Sequence, residues 1–130
     1  MKPRLFVPIL VALLTFTVAC SKNLYVSTAT VQLSFEEDPG LEASRVSSIL
    51  ADEVLLIEGI AAGIVPEADR HVEVRPMDST ALISISVLFE EPVQAERYAN
   101  QISQLYVDGA SPALNVRILE RAVVASKPSR

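Results

Sequence analysis

Ala81-Leu82-Ile83-Ser84-Ile85-Ser86-Val87-Leu88-Phe89, followed at once by Glu90-Glu91-Pro92-Val93-Gln94-Ala95, is the stretch on which the fold turns. Ile83, Ile85, Val87 and Phe89 recur every second residue, the spacing of side chains on one face of a strand. Ser84 and Ser86 fall on the other face together with Leu82 and Leu88, so the strand has apolar residues on both sides and is expected to be central. Pro92 then opens a helix, because a first-turn N–H has no intrahelical partner to lose. Glu90 and Glu91 complement the positive end of that helix. Ala95, Tyr98, Ala99, Ile102, Leu105 and Tyr106 recur at three- and four-residue spacing and form its expected buried stripe, with Gly109 as the expected C′ residue.

The flanking sequence repeats this pattern. Residues 24–35 alternate, with Tyr25, Ala29, Val31, Leu33 and Phe35 on one face and Thr28, Thr30, Gln32 and Ser34 on the other. Glu36-Glu37-Asp38-Pro39-Gly40 breaks the strand with turn residues. From Leu41 onward, Val46, Ile49, Leu50, Val54 and Ile57 mark an amphipathic helix that Gly59 and Gly63 weaken and Pro66 closes. Val72 and Val74 alternate with His71, Glu73 and Arg75 in a short strand, and residues 76–80 read as a turn. Residues 114–124 alternate again, with Leu114, Val116, Ile118 and Ala122 facing one way. The order strand, helix, strand, strand, helix, strand predicts an α+β domain. It matches a ferredoxin-like βαββαβ sandwich, with one antiparallel sheet, two helices on one face and a second face rich in Thr and Ser. The domain is expected to span residues 24–125, followed by a polar tail over 126–130.

Residues 1–20 belong to something else. Lys2 and Arg4 precede an apolar run over residues 5–19, interrupted only by Thr15 and Thr17. Fifteen helical residues reach about 22 Å, short of a bilayer's hydrocarbon core of about 30 Å. The small residue Ala19 and the lone Cys20 stand where a bacterial lipoprotein is cleaved and acylated, although Thr17 occupies a position where such sites usually carry Leu. Three readings follow: acylation of Cys20 after cleavage, an uncleaved transmembrane anchor, and a plain signal peptide. Each places residues 24–130 outside the cytoplasm, because the positive flank stays inside.

Composition narrows the chemistry. The 130 residues carry 11 Lys and Arg against 16 Asp and Glu, a net charge of −5 that becomes −7 when Lys2 and Arg4 leave with residues 1–19. A domain that acidic, without Trp or a basic cluster, is a poor ligand for phosphate backbones, so no nucleic-acid partner is expected. One Cys allows no intrachain disulfide, and one His starves most triads and metal centres. His71 reads as an edge histidine. Glu90 and Glu91 are adjacent in the chain, whereas glycoside chemistry needs two carboxyls facing each other about 5–10 Å apart. Glu36, Glu37 and Asp38 read as a solvated turn, Asn100 as a hydrogen bond from its helix to a neighbouring loop, and Tyr25, Tyr98 and Tyr106 as core or interface aromatics. No catalytic residue, cofactor or metal site is expected.

One resemblance gathers these pieces. The Ala81-Leu82-Ile83-Ser84-Ile85-Ser86-Val87 strand, the Glu91-Pro92-Val93-Gln94-Ala95 helix start, the Ala99-Asn100 pair, Tyr106 and Val116-Arg117-Ile118-Leu119-Glu120-Arg121-Ala122 resemble the Wzz-type polysaccharide chain-length determinants, the polysaccharide co-polymerases. The Tyr25-Val26-Ser27-Thr28-Ala29 strand just after an apolar segment is also similar. Ala125 stands where that group has the first Pro of a Pro-rich stretch, and Pro128 remains, so the expectation is a periplasmic base domain on a single anchor. The resemblance implies a non-enzymatic scaffold in the synthesis or export of a surface polysaccharide. Such a scaffold is anchored in the membrane through its N-terminus, self-associates there, and contacts polymerase or export proteins. The alternative is an envelope lipoprotein that binds a protein partner and has no part in sugar chain length.

Overall fold

The structure, a computed structural model, describes residues 23–34, 43–77, 81–110 and 114–128. The apolar run, Cys20, Phe35, the acidic turn at 36–38 and Leu41 lie outside the described residues. Among the described residues, four strands and three helices follow one another: β1 (Tyr25–Gln32), α1 (Ala43–Ile64), α2 (Ala68–His71), β2 (Val72–Met77), β3 (Leu82–Phe89), α3 (Pro92–Gly109) and β4 (Arg117–Glu120). The strands form one antiparallel sheet in the order β2-β3-β1-β4. Each long helix therefore crosses over one strand, α1 over β3 and α3 over β1. This α+β arrangement is compatible with the ferredoxin-like pattern.

The period-two reading of β3 holds in detail. Ile83, Ile85 and Val87 are fully buried, while Leu82, Ser84, Ser86 and Leu88 are half-buried on the other face. Pairing Ala29 with Ile85 and Val31 with Ile83 puts both inner faces in one layer. Leu50, Ile57 and Ala61 of α1 and Ala95, Ala99, Ile102 and Tyr106 of α3 complete a single core against it. Opposite the helices, the sheet is polar at its centre, where the Thr28 and Ser86 hydroxyls bond across paired positions at 2.8 Å. Thr30, on the polar face as its spacing predicts, is buried there between β3 and β4.

Several boundaries differ from the expectation. β2 continues through Pro76 and Met77, which read as turn residues in sequence. β2 is an edge strand, and there a proline need not donate to the ladder. His71 ends the short helix α2 instead of starting a strand. That helix begins after Glu67, whose positive φ of 50° turns the chain after α1. Gly109 is the last residue of α3, not a left-handed C′ residue. The cap is Ala110 with extended backbone, so the chain leaves the helix without reversing through positive φ. In the α3 stripe, Ser103 is buried and Leu105 is 44% exposed. The Ser103 hydroxyl is accommodated by donating to the Asn100 carbonyl at 3.0 Å.

The last strand departs furthest. Alternation over 114–124 predicts eleven residues of strand, whereas β4 has four. Val31 pairs with Ile118 and Thr30 with Glu120, so Leu119 is the extra residue of a bulge. Beyond it, side chains hold the backbone in place of a ladder. Asn100 Oδ1 accepts from the Ala122 N–H at 2.8 Å, Asn100 Nδ2 donates to the Ala122 carbonyl at 3.0 Å, and the Ser27 hydroxyl donates to the Val123 carbonyl at 2.8 Å.

Because Ile85 is fully buried in the middle strand pair, Ile85→Ala is expected to destabilise the domain by about 2–5 kcal/mol through lost transfer energy and the cavity left behind. Chemical denaturation measures this, and a loss below about 1 kcal/mol would mean that the site is not tightly filled.

Candidate functional site

The most distinctive chemistry lies between the two long helices. On α1, Leu50, Ile57 and Ala61 face the core, and Glu53 occupies the same stripe, three residues after Leu50 and four before Ile57. Its side chain is nearly buried. Across the helix interface, the Tyr106 hydroxyl donates to Glu53 Oε1 at 2.8 Å, joining α3 to α1. Burial, reinforced by this hydrogen bond and the negative charge of Glu53, pushes the Tyr106 hydroxyl well above the ordinary tyrosine range. A phenol held protonated in this way is a poor general base or nucleophile near neutrality. Its chemistry is that of a donor whose acceptor lies inside the protein.

Above this pair runs a groove of about 330 Å³ lined by Glu53, Leu56, Ile60, Leu105, Tyr106 and Leu114, among others. Leu56 and Leu105 stand at its rim, 57% and 44% exposed. The arrangement is apolar with one acidic group at the floor. A second hollow of about 420 Å³ near the end of α1 is lined by Glu58, Ala61, Ala62, Ala68, Asp69 and Val72. No cluster of three or more His, Cys, Asp or Glu positioned to hold a metal ion occurs among the described residues.

The residues singled out in sequence are dispersed. His71 Nδ1 lies 2.9 Å from the Leu88 carbonyl oxygen, and its ring stacks on Phe89 at 4.4 Å. Phe89 in turn contacts Tyr98 at 5.2 Å. Glu91 is the N-cap of α3, but its side chain makes no cap hydrogen bond; its carbonyl oxygen instead accepts from the Ala95 N–H at 3.1 Å. Asn100 makes the helix-to-loop bond expected of it, and with two points of contact. Tyr106 is a core aromatic, whereas Tyr25 and Tyr98 are half-buried. Glu53 was not singled out. Its signal was an acid in register with the apolar stripe of an amphipathic helix, a position that requires a partner. Cys20 lies outside the described residues, and among those described no helix is long and apolar enough to cross a membrane.

No protein-family model matches the chain, and no curated protein matches it in sequence.

Tyr106→Phe leaves the buried Glu53 carboxyl without its donor and is expected to cost about 1–3 kcal/mol at neutral pH. The pH dependence has a definite sign. A tyrosine whose pKa is raised by folding gives stability that is full below its unfolded value of about 10 and is lost as pH rises further. The difference in stability between the parent chain and Tyr106→Phe should therefore shrink above about pH 10, by at most about 1.4 kcal/mol per pH unit. Denaturation curves across that range check it, and a difference that stays constant would contradict the burial of the hydroxyl.

Proposed function

We propose that this chain is a non-enzymatic, membrane-anchored scaffold in surface polysaccharide synthesis or export, of the chain-length-control type. The reading takes the domain as a ferredoxin-like βαββαβ sandwich of co-polymerase kind, held at the extracytoplasmic face by its N-terminal segment. What carries it is the ordered resemblance of residues 79–122 to the Wzz-type determinants. The residues behind that resemblance include some with structural work. Ile83, Ile85 and Val87 form the inner face of β3, Ala99 seats α3, and Asn100 holds Ala122. The mechanism is organisation rather than reaction. Copies confined to one membrane meet at an effective concentration far above that in solution, and their assembly presents surfaces to the polymerase or export proteins.

A second reading, an envelope lipoprotein that binds a protein partner unrelated to sugar length, draws support from the groove between α1 and α3. Its exposed Leu56 and Leu105 are apolar surface that a partner would cover. The two readings separate in one experiment. Deleting the gene and resolving surface polysaccharide by gel electrophoresis should replace a modal length distribution by a broad one, with return of the mode on complementation. An unchanged distribution would overturn the scaffold reading and leave the partner-binding module.

A further inference from the structure

The register of the sheet brings both ends of the described domain to one place. β1 starts at Tyr25, opposite Phe89 at the end of β3. β4 runs antiparallel to β1, and the chain beyond it returns alongside the start of β1, where the Ser27 hydroxyl holds the Val123 carbonyl. α3 also begins at this end, immediately after β3, and β2 starts here, since Val72 pairs with Val87. The same end carries the half-buried Tyr25 and the stack of His71, Phe89 and Tyr98. Three exposed apolar side chains share this end of the sheet, Val93 at 48% in the first turn of α3, and Val123 at 74% and Val124 at 48% just past β4.

The chain outside the described residues says what covers this patch. The apolar run ends at Ala19, and Cys20 to Leu24 are the only residues between it and β1. Five residues span at most about 17 Å when fully extended. If the run or an acyl group on Cys20 is held in a bilayer, this end of the domain stays within that distance of the lipid. The opposite end, with Met77, Leu82 and Arg117, points away along the strands. Tyrosine rings and small apolar side chains suit the boundary between headgroups and acyl chains.

We propose that the end of the domain that carries Tyr25, Val93, Val123, Val124 and the His71–Phe89–Tyr98 stack rests on the lipid surface to which the N-terminus is tethered. The proposal rests on the anchored reading above but adds an orientation and a contact that it does not contain. Glu91 is exposed at this end and so is the cation Arg70 beside His71, opposite charges that give anionic headgroups no net pull, so the contact rests on apolar surface and is independent of anionic lipid. The tether and apolar contact together hold the domain upright, with the groove between α1 and α3 left clear for a protein.

The chain has no Trp, so a single introduced one gives a clean signal. Val123→Trp and Val93→Trp place it on the patch, and Met77→Trp, also at an exposed position, places it at the far end. The full-length proteins are reconstituted into phosphatidylcholine vesicles, with and without bromine on the acyl chains, and floated on a density gradient. Emission from both patch probes should shift to the blue and fall about twofold with brominated lipid, as expected for a side chain at the headgroup boundary, while Met77→Trp is unaffected. A chain that floats with all three probes unquenched overturns the contact but leaves the anchor standing. A chain that does not float overturns both. A blue shift that bromine does not quench and that grows with protein density in the vesicle assigns the patch to a second copy and overturns the lipid contact.

Discussion

The close approach of α3 to the central strand pair is the constraint on which the rest of the domain depends. Ala95 and Ala99 are both fully buried and face β1 and β3, and their single methyl groups let the helix backbone settle close to Ala29, Val31, Ile83 and Ile85. Interiors are packed as densely as organic crystals, so the distance of α3 from the sheet is set by these side chains and little else. Once it is set, each flank of the helix has a fixed reach. Asn100, next to Ala99, meets the backbone of Ala122 on one side. Tyr106, lower on the same helix, meets Glu53 of α1 on the other. One helix thus ties both the returning tail and the first helix, each of which also packs on the sheet, into a single body.

The polar contacts gain their importance from what they replace. After Glu120, one residue past the bulge, the chain no longer forms a ladder with β1, and its backbone groups need partners near the buried Ala122. Asn100 supplies both a donor and an acceptor to one residue, the pair of bonds that an antiparallel strand would have given. The Glu53 carboxyl is in a comparable position, since it would be costly beneath the groove without the Tyr106 hydroxyl. A Phe at 106 would pack as well and leave that carboxyl unserved. These two side-chain ties hold the middle and the last turn of α3, and the surfaces proposed for partners and for lipid lie beside the elements they fasten.

Much of this was legible in the sequence, and the exceptions have separate causes. β3 and the start of α3 could be read because period-two apolar spacing, a proline at the first helical position and period-3.6 apolar spacing all agreed. Pro76 misled because a proline reads as a break unless the strand is known to lie at an edge, which only the sheet order reveals. Residues 121–124 alternate like a strand, but pairing stops after Glu120, one residue past the bulge, and hydrophobic periodicity alone does not show where pairing ends. Gly109 looked like a helix terminator because glycine tolerates positive φ, yet here the chain continues extended from Ala110. Glu53 was visible as an acid in an apolar stripe, but its partner lies fifty-three residues away on another helix, and single-chain periodicity cannot pair the two.

The seating of α3 is tested most directly by enlarging one of its contact residues. Ala99→Leu adds three carbons where no space remains, whereas Gln101→Leu adds apolar bulk to the exposed side of the same helix. Equilibrium denaturation should show Ala99→Leu less stable by about 1–3 kcal/mol, the usual cost of overpacking a filled core. Gln101→Leu should stay within about 0.5 kcal/mol of the parent, as surface changes generally do. If Ala99→Leu were as stable as the parent, α3 would not be seated on the sheet by its small residues, and the fastening of tail and first helix through it would be contradicted.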